Sequence, residues 1–213
     1  METQPTLQFD VLYPDRLSRL LIFVKWLLAI PHYFVLVLLG IASVFVTLIA
    51  WIAILISGNY PRGLFEFQVM VLQWGARVTG YVDLWTDVYP PFGEEGHPVN
   101  LSLEYPPHLS RLLNFIFIIK WILAIPHFII LYILGIVSRV ITLIAFFAIL
   151  ITGRYPRSMF DFQVGFYRWS YRVTAYVGLM TDAYPPFNFG EPPPASGPPA
   201  EYVPPPQGVQ PNF

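Results

Sequence analysis

Lys25-Trp-Leu-Leu-Ala-Ile-Pro-His32 returns as Lys120-Trp-Ile-Leu-Ala-Ile-Pro-His127, and the spacing is 120 − 25 = 95 residues. Without a gap, Lys25 to Phe92 matches Lys120 to Phe187 at 41 of 68 positions. Identity at that level between two parts of one chain marks a duplicated unit, so the architecture is read once and applied twice. The first repeat is taken as residues 7–92 and the second as residues 99–187, with a tail over residues 188–213.

The surrounding composition sets the solvent. Apolar residues make up 55% of the 213-residue chain, charged residues only 12%, and the mean hydropathy is +0.56. An ordinary soluble domain carries roughly 25% charged residues, so lipid is the expected environment. The net charge of −1 leaves no basic field to attract nucleic acid. Cysteine is absent, which excludes disulfides and thiolate metal sites. Residues Met1 to Asp10 lack the order of a signal peptide, so the N-terminus is expected to stay cytoplasmic.

Each repeat opens with alternating apolar positions: Leu7, Phe9, Val11 and Tyr13 before Pro14, then Val99, Leu101, Leu103 and Tyr105 before Pro106. Period-two alternation ended by proline predicts a short strand, and two such strands are expected to pair in one small sheet. Leu17 to Ile56 and Leu109 to Ile151 follow as almost unbroken apolar stretches of about 40 residues, enough for one long crossing or two short ones. Basic residues flank both ends of each stretch, which by the positive-inside tendency predicts a membrane hairpin turning near Gly40-Ile-Ala-Ser43 and Gly135-Ile-Val-Ser138, complete or re-entrant. The rival is an interfacial helix over Leu17 to Ile30, broken before Pro31, then one long span from Tyr33 to Ile56.

After Gly58-Asn-Tyr-Pro61 and Gly153-Arg-Tyr-Pro156, an amphipathic helix of about 20 residues is expected at the headgroup boundary. Its polar stripe is Arg62, Glu66, Gln73 and Arg77 in the first repeat and Arg157, Asp161, Arg168 and Arg172 in the second. Thr86-Asp87 and Thr181-Asp182 lead into Tyr-Pro-Pro-Phe, read as extended segments closing on proline turns. The tail, with nine prolines in 26 residues, reads as a disordered, polyproline-leaning segment.

Trp-Leu-Leu-Ala-Ile-Pro-His32, Ile-Ser-Gly-Asn-Tyr-Pro-Arg62 and Thr-Asp-Val-Tyr-Pro-Pro-Phe92 resemble the bacterial membrane family catalogued as domain of unknown function 4389, here in two tandem copies covering Phe9 to Phe187. The resemblance implies an integral membrane protein of bacteria; with the apolar stretches and flanking charges, the expectation is a mainly α protein of the inner membrane, multi-pass with cytoplasmic termini. It brings no activity, ligand or catalytic residue.

Among candidate sites, His32 and His127 occupy equivalent positions and are the residue type that supplies both axial ligands of a b-type haem. Against that stands a histidine bonded to a carbonyl freed by the helix break at proline. Lys25 and Lys120, beside Trp26 and Trp121, are expected to snorkel to headgroups, where they meet lipid phosphates. The basic positions Arg62, Arg77, Arg157, Arg168 and Arg172 are candidates for contact with anionic lipid or an acidic partner. Asp87 and Asp182 read as turn caps rather than an acid and base pair, and Pro192-Pro-Pro194 and Pro204-Pro-Pro206 as tail rather than docking motifs. No catalytic, cofactor or metal site is expected. The reading is a non-enzymatic membrane scaffold that meets lipids and other membrane proteins and no nucleic acid. The alternatives are a small transporter or channel-like subunit, and a haem-binding redox subunit built on His32 and His127.

Overall fold

The computed structural model describes residues 7–91, 96–115 and 118–190. Phe92, the first six residues and residues 191–213, which hold both proline triplets, lie outside that range. The fold is mainly helical: β1 (Leu7–Val11), α1 (Lys25–Leu28), α2 (Ile30–Ser57), α3 (Arg62–Val82), β2 (Val99–Leu103), α4 (Arg111–Phe115), α5 (Ile118–Thr152) and α6 (Arg157–Val177), with a single 3-10 turn over Leu21–Phe23.

The strands fall where alternation places them, with Leu7, Phe9 and Val11 buried and Gln8 and Asp10 exposed. They pair antiparallel, Leu7 opposite Leu103, Phe9 opposite Leu101 and Val11 opposite Val99. Two strands alone are marginal in water; here α3 packs on β2 and α6 on β1.

The membrane hairpin folded at Gly40 and Gly135 is not what the chain forms. α2 runs unbroken through Gly40 and Ser43, and α5 through Gly135, Ser138 and Arg139. A lone glycine weakens a helix by about 1 kcal/mol without breaking it, and no proline follows to stop the backbone ladder. A break after Gly40 would also have left an arm of about 20 Å, short for lipid. The rival reading is nearer: the 3-10 turn and α1 precede α2, and Pro31 sits in the first turn of α2 where its missing N–H costs nothing. In the second repeat Pro126 lies within α5 and the helix continues.

The long helices end on glycine. Gly58 and Gly153 adopt φ of 77° and 74°, and their N–H groups return to Ile54 O and Ile149 O, capping α2 and α5. The chain then reverses, and α3 runs antiparallel to α2. Gln68 reaches Ser43, Trp74 reaches His32, and Thr86 lies beside Lys25. The basic residues at both ends of each apolar stretch thus reflect a hairpin whose return arm is the amphipathic helix.

α2 and α5 are each long and apolar enough to cross a membrane. Their exposed residues form one stripe: 33 and 34, 37 and 38, 40 and 41, 44 and 45, 48 and 49 on α2, and 132 and 133, 136 and 137, 139 and 140, 143 and 144 on α5. The spacing is helical, and the opposite face carries the contacts with α3 and α6. α6 is enclosed on several faces: Val164, Phe166, Trp169, Val173 and Tyr176 are all buried, because α5 covers one face while β1 and residues 187–190 cover others.

Candidate functional site

The polar groups inside this apolar fold gather into two sets. The first is built twice. Lys25 Nζ, 1% exposed, donates to Thr86 O at 2.7 Å and pairs with Asp87 at 2.8 Å; Lys120 Nζ, 0% exposed, donates to Thr181 O at 2.8 Å and pairs with Asp182 at 2.7 Å. Each ammonium also lies over an aromatic neighbour, 5.1 Å from the Tyr81 centroid and 5.0 Å from that of Tyr176. Burial pushes the Lys25 ammonium below its ordinary range, and Asp87 pulls it back. Asp87 and Asp182 are held in turn, accepting from the backbone N–H of Ser18 and Ser110, the residues that open the apolar stretch. The lysines therefore do not snorkel. Thr86-Asp87 and Thr181-Asp182 meet them first, on a turn reached through Leu84 and Leu179, whose positive φ values of 68° and 61° are offset by burying the whole side chain.

The histidines follow the same rule. Trp74 Nε1 donates to His32 Nδ1 at 3.2 Å, and Trp169 Nε1 to His127 Nδ1 at 3.1 Å. Tyr89 packs against the first ring, while Tyr184 and the stacked ring of Phe187 pack against the second. An accepting Nδ1 assigns the proton to Nε2, which leaves neither nitrogen poised as a ligand in this arrangement. The aromatic neighbours of the two rings are separate sets, so the structure does not bring His32 and His127 together as an axial pair. About three turns further along each long helix, Gln68 Nε2 donates to Ser43 O and Thr47 Oγ1, and Gln163 Nε2 to Ser138 O and Thr142 Oγ1, while Ser138 Oγ donates to Gln163 Oε1 at 2.6 Å. The Thr47, Ser138 and Thr142 hydroxyls are thus tied to a glutamine within their own repeat rather than lined up between repeats.

The second set occurs once. Asp83 accepts from Arg139 Nη1 at 3.0 Å and from Tyr167 Oη at 2.6 Å. Its counterpart is Gly178, that of Arg139 is Val44 and that of Tyr167 is Leu72, so three unmatched polar positions meet one another across the repeats. Burial pushes the Asp83 carboxyl up, and the Tyr167 hydroxyl and Arg139 offset part of that shift.

The basic stripe divides. Arg62 and Arg157 are exposed and paired with Glu66 and Asp161, each at 3.0 Å. Arg77, Arg168 and Arg172 are buried. Arg168 donates to Phe9 O and Phe189 O, and Arg172 to Asn188 Oδ1 and Gly190 O. The first tail residues, Asn188 to Gly190, are therefore docked on α6. In the first repeat a groove of about 310 Å3 opens between α3 and β2, lined by Arg62, Phe65, Glu66, Val69, Met70, Gln73, Leu103 and Tyr105. Among the described residues no cluster of three or more His, Asp or Glu side chains is arranged to hold a metal ion.

These pairings had a signal in the sequence. Lys25 and Asp87 are separated by 62 residues, as are Lys120 and Asp182; His32 and Trp74 by 42, as are His127 and Trp169; Ser43 and Gln68 by 25, as are Ser138 and Gln163. A polar residue kept in both copies of an apolar repeat needs a partner kept with it. The repeat unit itself is matched by the model of the family described as Domain of unknown function (DUF4389), over residues 19–93 and again over 116–188. The chain belongs to this family. It carries two tandem DUF4389 copies, and the duplicated polar pairs lie inside the matched segments. No curated protein and no solved structure matches the chain.

Proposed function

We propose that this two-copy DUF4389 protein is a non-enzymatic membrane scaffold, held in lipid by α2 and α5 and offering its remaining surface to a protein partner or to headgroups. The observation that carries the reading is the contrast in side-chain placement. The exposed stripes of α2 and α5 hold Phe34, Val37, Phe45, Ile56, Ile133 and Ile151, with Arg139 the charged member of the stripe, whereas Lys25, Lys120 and Asp83 are turned inward and bound. A soluble monomer rarely exposes an apolar patch above a few hundred Å2. Lipid takes such a face without a partner protein. Arg62 and Arg157 on the amphipathic helices are exposed to headgroups or an acidic partner, as are Arg16, Arg19, Arg111 and Arg154, and the groove beside Arg62 offers a site for a membrane-protein partner.

Vesicle flotation tests the reading. The purified chain should float with neutral phosphatidylcholine vesicles, because buried apolar area rather than charge supplies the attachment. Replacing Val44, Leu48 and Ile52 together by Ser should leave a larger soluble fraction. Wild-type protein that stays below the gradient while remaining folded contradicts the proposal.

A further inference from the structure

The two repeats are related by a pseudo-twofold axis whose position can be read from the contacts. Tyr13-Pro14 and Tyr105-Pro106 are equivalent, so Phe9 is the counterpart of Leu101, and these two face each other at the centre of the ribbon. The backbone and tyrosine contacts flanking that centre are reciprocal: Leu17 N to Gly153 O and Leu109 N to Gly58 O, both 2.9 Å, with Tyr13 and Tyr105 donating to Tyr155 O and Tyr60 O. The axis therefore passes through the ribbon at Phe9 and Leu101.

The same contacts orient the apolar segments. Leu17 lies by Gly153, the Phe23 ring is 5.3 Å from that of Phe146, Trp51 Nε1 donates to Asn114 O, and Leu109 lies by Gly58. The two segments run side by side in opposite directions, across the axis. If they crossed a bilayer, the axis would lie in the membrane plane at mid-depth and the ribbon with it. The ribbon's outer face carries exposed Gln8, Asp10, Asn100 and Ser102, and a two-stranded ribbon has two unpaired backbone edges. Such a structure has no place in hydrocarbon. Arg139 would also sit near mid-depth, with a side chain 69% exposed. Length disagrees too: exposed apolar residues run along α5 from Trp121 to Ile151, 31 residues or about 46 Å of helix against a hydrocarbon core of about 30 Å.

We infer that the protein lies along one face of the bilayer, with α2 and α5 embedded lengthwise in the acyl-chain layer of a single leaflet and the β ribbon at the opposite, water-facing pole. The axis then stands along the membrane normal, both repeats are the same way up, and neither apolar helix crosses. This replaces the multi-pass expectation, and it rests on the membrane reading above. Arg139 lies at interfacial depth, where its guanidinium reaches Asp83 and water together.

The Cys-free chain permits the test. Nitroxides are placed singly at Val37, Val44 and Ile56, which are 63%, 60% and 73% exposed, and depth is read in phosphatidylcholine vesicles from the balance of oxygen and nickel-chelate collisions. A lengthwise helix gives depths agreeing within about half a helix diameter, ~5 Å. A crossing helix puts Val37, which the paired contacts set level with the axis, deepest and Ile56, 19 residues on, up to about 28 Å shallower; that result overturns the inference. As a second arm, Arg62→Cys and Val88→Cys, near opposite ends of α3, are treated with an impermeant maleimide outside and inside sealed vesicles. Both should label from one compartment, and labelling from opposite compartments contradicts the inference while leaving the scaffold reading intact. Failure of the folded protein to join vesicles removes both.

Discussion

Removing the acid from a Lys–Asp site should be far more damaging than removing the lysine. In Asp87→Asn the Lys25 ammonium stays 1% exposed and keeps Thr86 O as an acceptor. Breaking a buried pair on one side costs about 3–5 kcal/mol. The lysine can escape by losing its proton, which caps the cost at pH 7 near 1.36 × (10.5 − 7), about 4.8 kcal/mol. In Lys25→Met the charge disappears and Asp87, 30% exposed, keeps solvent and the Ser18 N–H; the loss is that of a hydrogen-bonded carbonyl partner, about 1–3 kcal/mol. At about 2–4 °C per kcal/mol for a chain of this size, Asp87→Asn should lower the midpoint by about 6–20 °C and Lys25→Met by about 2–12 °C. The double variant should lie above Asp87→Asn alone, since no buried charge remains. Thermal unfolding of detergent-solubilised protein, followed by circular dichroism, measures all three. If Asp87→Asn unfolds at the wild-type midpoint, or the double variant is the sum of the singles, the buried-pair argument fails.

Further outcomes follow from the other pairs. Gln163→Leu should cost more than Gln68→Leu, by about 1 kcal/mol or more, because it also strips the acceptor from the buried Ser138 hydroxyl; chemical unfolding of the two variants compares them. Gly58→Ala should destabilise by about 1 kcal/mol, since φ of 77° is left-handed and the new Cβ meets Arg111 Nε at 3.4 Å; the unfolding midpoint of the variant reads the loss. Asp83 sets a pH dependence. Its folded carboxyl holds its proton to higher pH than the unfolded one, so stability falls as pH rises from about 3.8 through the raised folded value and is level above it. Unfolding midpoints taken across that window for wild type and Asp83→Asn should differ in slope, and parallel curves refute the assignment.

Much of this fold was legible in the chain. Strands at Leu7 and Val99 and their pairing came from alternation, and the amphipathic helices after Pro61 and Pro156 from spacing. The reversal lies at Gly58 rather than Gly40, because sidedness of charge identifies a hairpin without saying which segment is the return arm. The lysines were misassigned for a related reason. Lys25 beside Trp26 is the pattern of an interfacial anchor, and the partner that overrides it, Asp87, lies 62 residues away on a turn whose geometry depends on Leu84 at positive φ. Arg168 and Arg172 were read as a surface because one helix cannot reveal that β1 and Asn188 to Gly190 close over it. Comparison of the copies carried more than was used: the Lys–Asp, His–Trp and Gln–Ser pairs kept in both copies bond within a repeat, and Asp83, Arg139 and Tyr167, kept once, bond between them.

The antiparallel placement of the two apolar helices about the ribbon is the claim on which the rest depends, and a pulsed spin-echo distance between nitroxides at Ser57 and Thr152 addresses it. Ser57 lies at the end marked by Gly58 and Leu109, and Thr152 at the end marked by Gly153 and Leu17, so the separation should be close to the length of α5, about 50 Å for 35 residues. A separation of about 10–20 Å, expected if the helices packed in parallel with both C-termini together, contradicts the account.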